Sequence, residues 1–153
     1  MVSNLKIEFA DQQSHPIDED QLRTVVTEIL NHYHYTTAEI SIAIVDDPTI
    51  RRLNKQYLDH DYETDVISFV LDEEGRSLTG QLIVSTDTAN RVAGEVGGSP
   101  ADELMLYVVH GTLHLVGEDD TDAISRQQMR KQEALFLAAH GVEHRWLAEG
   151  GTA

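Results

Sequence analysis

Near the start of the chain Leu5, Ile7 and Phe9 alternate with Lys6 and Glu8, the period of a strand with one wet face. From Ile17 to Leu30 the apolar spacing changes to three and four (Leu22, Val25, Val26, Ile29, Leu30), which predicts an amphipathic helix packed on a sheet. Ile40 to Val45 reads as a second, more buried strand, so the opening third follows the order of a βαβ unit if its strands are parallel. Asp47-Pro48 offers an N-cap and a proline at the first helical position, and Ile50, Leu53, Asn54 and Tyr57 continue a short second helix. Val66–Val70 and Leu82–Ser85 are β-rich runs separated by Asp72-Glu73-Glu74-Gly75-Arg76, a turn-forming stretch that predicts an antiparallel hairpin. Three helices complete the pattern. Thr86–Val96 stops at Gly97-Gly98, Ser99-Pro100 opens a helix running to about Val116 and closed by Gly117, and the last spans Asp122 to Ala139. Glu149–Ala153 is expected to be a loose tail.

A length of 153 residues suits one domain. Eleven basic against 27 acidic residues, formally −16, argue against a general nucleic-acid coat or a binder of anionic membranes, while leaving room for one local polyanion site. Zero cysteines remove disulfide scaffolds, thiolate catalysis and Cys-based zinc sites together. With no long apolar run and no apolar core after Met1, the expectation is a cytoplasmic protein without a membrane partner.

Candidate chemistry gathers at His110-Gly111-Thr112-Leu113-His114-Leu115-Val116-Gly117-Glu118-Asp119-Asp120. Residues four apart share a helix face at roughly 5–6 Å between Cβ atoms, so His110 and His114 can hold one ion. Gly117 lets the chain leave the helix, and Asp120 can then swing an oxygen back toward both imidazoles. Two nitrogens and a carboxylate make a catalytic zinc shell with a fourth position for water. The alternative is a buried helix histidine followed by an acidic loop that caps the next helix. Glu118 and Asp119 are spare acids that could orient a ligand, move a proton or face solvent. His140 and His144 repeat the spacing, but Gly141 interrupts the helix between them, so both are expected in solvent, with His144 dispensable for metal binding. His15, His32, His34 and His60 are read as surface residues.

This segment resembles the YbeY family of rRNA maturation endoribonucleases, whose signature is H-G-x-L-H-L-x-G-x-D-H; His110, Gly111, Leu113, His114, Leu115, Gly117 and Asp119 match in place. Leu53-Asn54 and Thr64-Asp65-Val66-Ile67-Ser68-Phe69 resemble the family's L-N-x-x-x-R and T-D-V-L-S-F runs, and Gly80 with Leu82-Ile83-Val84-Ser85 its G-D-I-x-I-S strand. The resemblance covers roughly residues 4 to 140. It implies a single α+β domain over residues 1–148, a mixed sheet of about four strands with helices, and a metal site on a helix of the C-terminal half and the loop after it. The implied activity is zinc-dependent, single-strand-specific endoribonuclease action in small-subunit rRNA 3′ end processing and ribosome quality control. One Zn2+ would be held by His110, His114 and Asp120, with Glu118 or Asp119 assisting a proton transfer and Ser68 positioning substrate. Implied partners are rRNA, the small ribosomal subunit, a small-subunit ribosomal protein and an assembly GTPase. To meet a polyanion, a protein this acidic needs a basic lip, for which Arg51, Arg52, Lys55 and Arg91 are the candidates.

Three departures fall where the family places chemistry. Its third ligand histidine is Asp120, the arginine after Leu53-Asn54 is Leu58, and the acid of the hairpin strand is Gln81. Two rival readings follow. One is a ribosome-associated zinc-binding module with weak or lost cleavage; the other is a zinc peptidase, which lacks its general-base glutamate because Gly111 stands there.

Overall fold

A computed structural model describes residues 4–144; the expected tail at 149–153 lies outside them. The elements are β1 (Asn4–Asp11), α1 (Glu19–His32), β2 (Thr37–Val45), α2 (Asp47–Leu58), β3 (Val66–Glu74), β4 (Ser77–Ser85), α3 (Thr86–Val96), α4 (Pro100–Leu115) and α5 (Ala123–Ala138). They form a single α+β domain whose four-stranded mixed sheet has the order β1-β2-β4-β3. β1, β2 and β4 run parallel, while β3 joins β4 as an antiparallel hairpin on the sheet edge.

Each helix starts where its sequence supplies a cap. Asp18, Ser85, Ser99 and Asp122 accept from the first-turn amides of α1, α3, α4 and α5. For α2 the cap is Asp46, one residue before the expected Asp47, because the Asp46 carboxylate accepts from Thr49 N at 2.9 Å. The Asp47 carboxylate instead accepts from Ser85 Oγ and Thr88 Oγ1, both at 2.6 Å, tying α2 to the start of α3. The hairpin turn is also narrower than its composition suggests. Asp72, Glu73 and Glu74 pair with Thr79, Leu78 and Ser77 across a register shift at Val70/Asp72, leaving Gly75-Arg76 to reverse the chain, with Gly75 at φ 59°. Ladder pairing overrides the acidic run's turn preference.

The sheet buries its two faces unequally. Ile7, Ile40, Ile42, Ile44, Leu78, Leu82 and Val84 face the main core, which α1, α3, α4 and α5 complete. The alternate positions Val45, Ile67 and Ile83, with Ala43 and Phe69 beside them, form a smaller cluster with Ile50 and Leu53 of α2. α4 lies within the main core, and between Glu103 and Leu115 every residue is buried except His110 and His114. A helix apolar on nearly every side is a core helix, and the two interruptions mark where it reaches the surface.

Candidate metal centre

α4 approaches β3 closely because position 111 has no side chain. A Cβ there would lie 2.9 Å from both Leu82 Cδ2 and Val66 Cγ2 and 3.1 Å from Ser68 Oγ. Ser68 Oγ donates to the Gly111 carbonyl at 3.1 Å, fastening the helix to the strand one residue from His110. After α4, Gly117 adopts φ 101° and the Glu118 amide bonds the Leu113 carbonyl at 3.0 Å, a Schellman-type ending that turns the following acids back over the histidine face.

The turn brings three side chains together. His110 Nε2 lies 3.2 Å from His114 Nε2, and Asp120 places Oδ2 3.6 Å from the first and Oδ1 3.6 Å from the second. One ligand atom from each residue falls within 4.8 Å of the others, a group that could hold a metal ion. Ligand bonds of about 2.0–2.1 Å in a tetrahedron set donor atoms roughly 3.4 Å apart, close to these separations. The imidazoles also carry their protons on the far side. His114 Nδ1–H donates to the Glu118 carbonyl at 3.1 Å, and His110 Nδ1–H to Glu133 Oε2 at 2.5 Å. Two neutral rings so arranged aim lone pairs at one point, which a cation relieves. With a proton there instead, burial opposes charging His110, but the hydrogen bond and charge of Glu133, with Asp65 and Asp120 nearby, hold its pKa above the ordinary value.

The other expected site residues have separate engagements. Glu118 Oε2 accepts from the Tyr33 hydroxyl at 2.6 Å, and burial together with that carboxylate pushes the Tyr33 hydroxyl upward in pKa. Asp119 folds onto its own loop, accepting from Asp120 N at 2.7 Å and Thr121 Oγ1 at 2.9 Å. Arg51 bonds Asp61 at 2.9 Å with Lys55 at 3.9 Å from the same carboxylate; Arg91 bonds Asp47 at 2.9 Å, and the charge of Arg52 acts on Asp46. Leu58 is exposed at the end of α2, and Gln81 lines an apolar groove with Leu53, Tyr57 and Phe69 on the thinly covered sheet face. The loop from α2 to β3 links the basic stripe to the centre: Asn54 Nδ2 holds the Tyr62 carbonyl at 3.0 Å, and Asp65 follows.

Glu133 and Tyr33 join the centre without a motif that marks them in the sequence, Asp65 joins it from the run at 64–69, and two histidines lie elsewhere than their spacing predicts. His140 is not solvated but bonds Glu28 at 2.5 Å. His144 is buried and bonds Glu133 Oε1 at 2.6 Å, because the turn at Gly141 (φ 73°) brings the chain back against α5. The available signal was Glu133 itself, an acid in the apolar stripe Met129, Phe136 and Leu137.

Comparison with known proteins bears on the family and the fold. The profile of the family described as Endoribonuclease YbeY matches residues 6–142. The Salinibacter ruber protein named Endoribonuclease YbeY is 38% identical over 137 residues, covering 84% of this chain and 87% of that protein. Its namesake from Rhodopirellula baltica is 44% identical over 106 residues, 68% of this chain and 55% of that larger protein. The solution structure of TM1509 from Thermotoga maritima shares the fold, with a TM-score of 0.59 and 21% identity over 96% of this chain and 94% of that one. A histidine pair and an aspartate converging at ligand distances, in a chain matched along nearly its whole described length, place this protein in the Endoribonuclease YbeY family.

Proposed function

We propose that this chain is a zinc-dependent endoribonuclease that cuts single-stranded RNA during rRNA maturation, at the 3′ end of the small-subunit transcript, and takes part in ribosome quality control. The observation that carries the reading is the convergence of His110 Nε2, His114 Nε2 and Asp120 at near-tetrahedral edge lengths, with both Nδ1 atoms engaged behind them. Zinc held there would supply a Lewis acid for a phosphoryl oxygen and would acidify a water for attack.

The protein's own groups do the rest. His110 and His114 would offer their Nε2 atoms as ligands, and Asp120 a carboxylate where the family signature has an imidazole. The carboxylate charge strengthens cation capture and lowers the electrophilicity left for substrate. Ser68 acts through Gly111, holding α4 at its distance from β3. Glu118 accepts from Tyr33 and Asp119 from Asp120 N and Thr121 Oγ1, so a proton taken up by either spare acid competes with those donors. Arg51, Arg52, Lys55 and Arg91 form the basic lip, each facing an acid, so affinity for RNA is low and falls steeply with salt. We place the protein in the cytoplasm, with rRNA and the small ribosomal subunit, one of its proteins and an assembly GTPase as partners.

The test is cleavage of end-labelled single-stranded and duplex RNA, with chelator and after Zn2+ re-addition. Chelator-sensitive, single-strand-selective cuts that Zn2+ restores are the expected result, and cleavage indifferent to chelator overturns it. Leu58 and Gln81 favour the second reading, a ribosome-associated zinc module with weakened cleavage. Leu58→Arg separates the two: faster cutting supports an impaired nuclease, whereas unchanged cutting with retained ribosome co-sedimentation supports the module. Against the peptidase reading stands Gly111, at the place of the general-base glutamate, where a Cβ would meet Leu82 and Val66 at 2.9 Å.

A further inference from the structure

Glu133 has a side chain only 1% exposed, on the face of α5 turned to the core. A carboxylate so placed is costly unless its oxygens are bonded, and an imidazole meets each one. His144 Nε2–H donates to Oε1 at 2.6 Å and His110 Nδ1–H to Oε2 at 2.5 Å. His144 is itself 2% exposed at the side chain, and its approach is fixed by the Val142 amide bonding the Leu137 carbonyl at 3.0 Å.

This row of three groups ends on the nitrogen that faces His114 and Asp120. His114 is oriented by a backbone carbonyl that the Schellman turn makes rigid. His110 is oriented by a side chain from another helix, 23 residues away. The terminal torsion of a glutamate is broad, so one contact leaves the carboxylate plane free to turn. A second contact from His144 removes that freedom.

We propose that Glu133 and His144 are positioning residues of the metal centre. His144 clamps one oxygen of Glu133, so that the other fixes the ring plane and tautomer of His110 and sets how tightly the three ligands hold a divalent cation. The proposal rests on the metal-centre reading of the preceding section and reverses the expectation, drawn from residue spacing, that His144 is dispensable.

Co2+ added to metal-free protein in competition with a chromophoric chelator reads the affinity, and the visible absorption band of bound Co2+ reads the ligand geometry. Glu133→Gln and His144→Leu should each weaken binding roughly 10- to 100-fold and alter the band. His144→Gln, which keeps an N–H toward Glu133, should recover most of both. His140→Leu breaks the equivalent contact to Glu28 and should bind as wild type does. Thermal midpoints of the metal-free forms are recorded in parallel. A His144→Leu protein with a lowered midpoint but wild-type affinity and band makes the pair merely structural and overturns the proposal. If His144→Leu does not fold, Glu133→Gln decides by the same two readouts. Wild-type protein that takes up no Co2+ overturns the metal-centre reading itself, an outcome distinct from selective loss in the variants.

Discussion

At the C-terminal end of α4, two imidazoles are held by a neighbouring strand, a glycine-dependent turn and a carboxylate from α5. Along α2, Arg51 and Lys55 extend into water with 54% and 64% of their side chains exposed, sharing Asp61. Converging ligands need separations held to tenths of an ångström, and packed neighbours supply that restraint. The arginines and lysine need only supply a field, which tolerates motion but is readily cancelled by adjacent acids. Point changes near α4 should therefore act sharply, and changes along α2 gradually.

The largest effect should come from His114→Ala. Elemental analysis of protein purified without chelator should find little bound metal, and chelator competition should show affinity down by more than about 100-fold, beyond what loss of a supporting contact produces, with RNA cleavage at background. Next is Gly111→Ala, which adds one methyl against Leu82, Val66 and Ser68. Urea unfolding of the metal-free protein should show a loss of about 1–3 kcal/mol, typical of overpacking, and a stability equal to wild type would mean that α4 can retreat from β3 freely. Along α2, Arg51→Gln and Arg52→Gln should each weaken RNA binding only a few-fold, lowering the salt slope by about 1 if the side chain meets a phosphate. A large, salt-independent loss would blur the contrast between the regions.

The smallest effect concerns Asp47. Burial opposes its charge, but bonds from Ser85, Thr88 and Arg91 hold its carboxyl below the ordinary 3.8. A carboxyl lowered on folding contributes stability above its unfolded value and loses it as pH falls through the folded one. Wild type should therefore lose stability below about pH 4, and Asp47→Asn should flatten that part of the profile. Thermal midpoints between pH 3 and 6 check it.

How much of this was legible in the sequence depends on what carried each feature. The start of α4 followed from Ser99-Pro100 and that of α2, within one residue, from Asp47-Pro48. β1, α1 and β2 followed from changes of hydrophobic period that left the direction of strand pairing open, because caps and periods are local and pairing is not. His110, His114 and Asp120 could be grouped because one helix and its terminal turn hold all three. Glu133 escaped because it reaches His110 from another helix, and His144 because Gly141 signals an ending but not the direction in which the chain returns. The narrow hairpin turn was hidden for the same reason: Asp72, Glu73 and Glu74 favour a loop in isolation, and pairing with β4 overrules them.

That acidic stretch has a consequence for encounters between copies of the chain. β3 pairs with β4 on one side and presents its other side at the sheet margin, with Val70 and Leu71 exposed. Bare backbone donors beside apolar residues can template cross-molecule strand addition. The irregularity at Val70/Asp72 interrupts the flat ladder, and stacking a second β3 alongside would crowd like-charged carboxylates together. The margin thus carries its own deterrent to aggregation, built from the same acids that pair with β4.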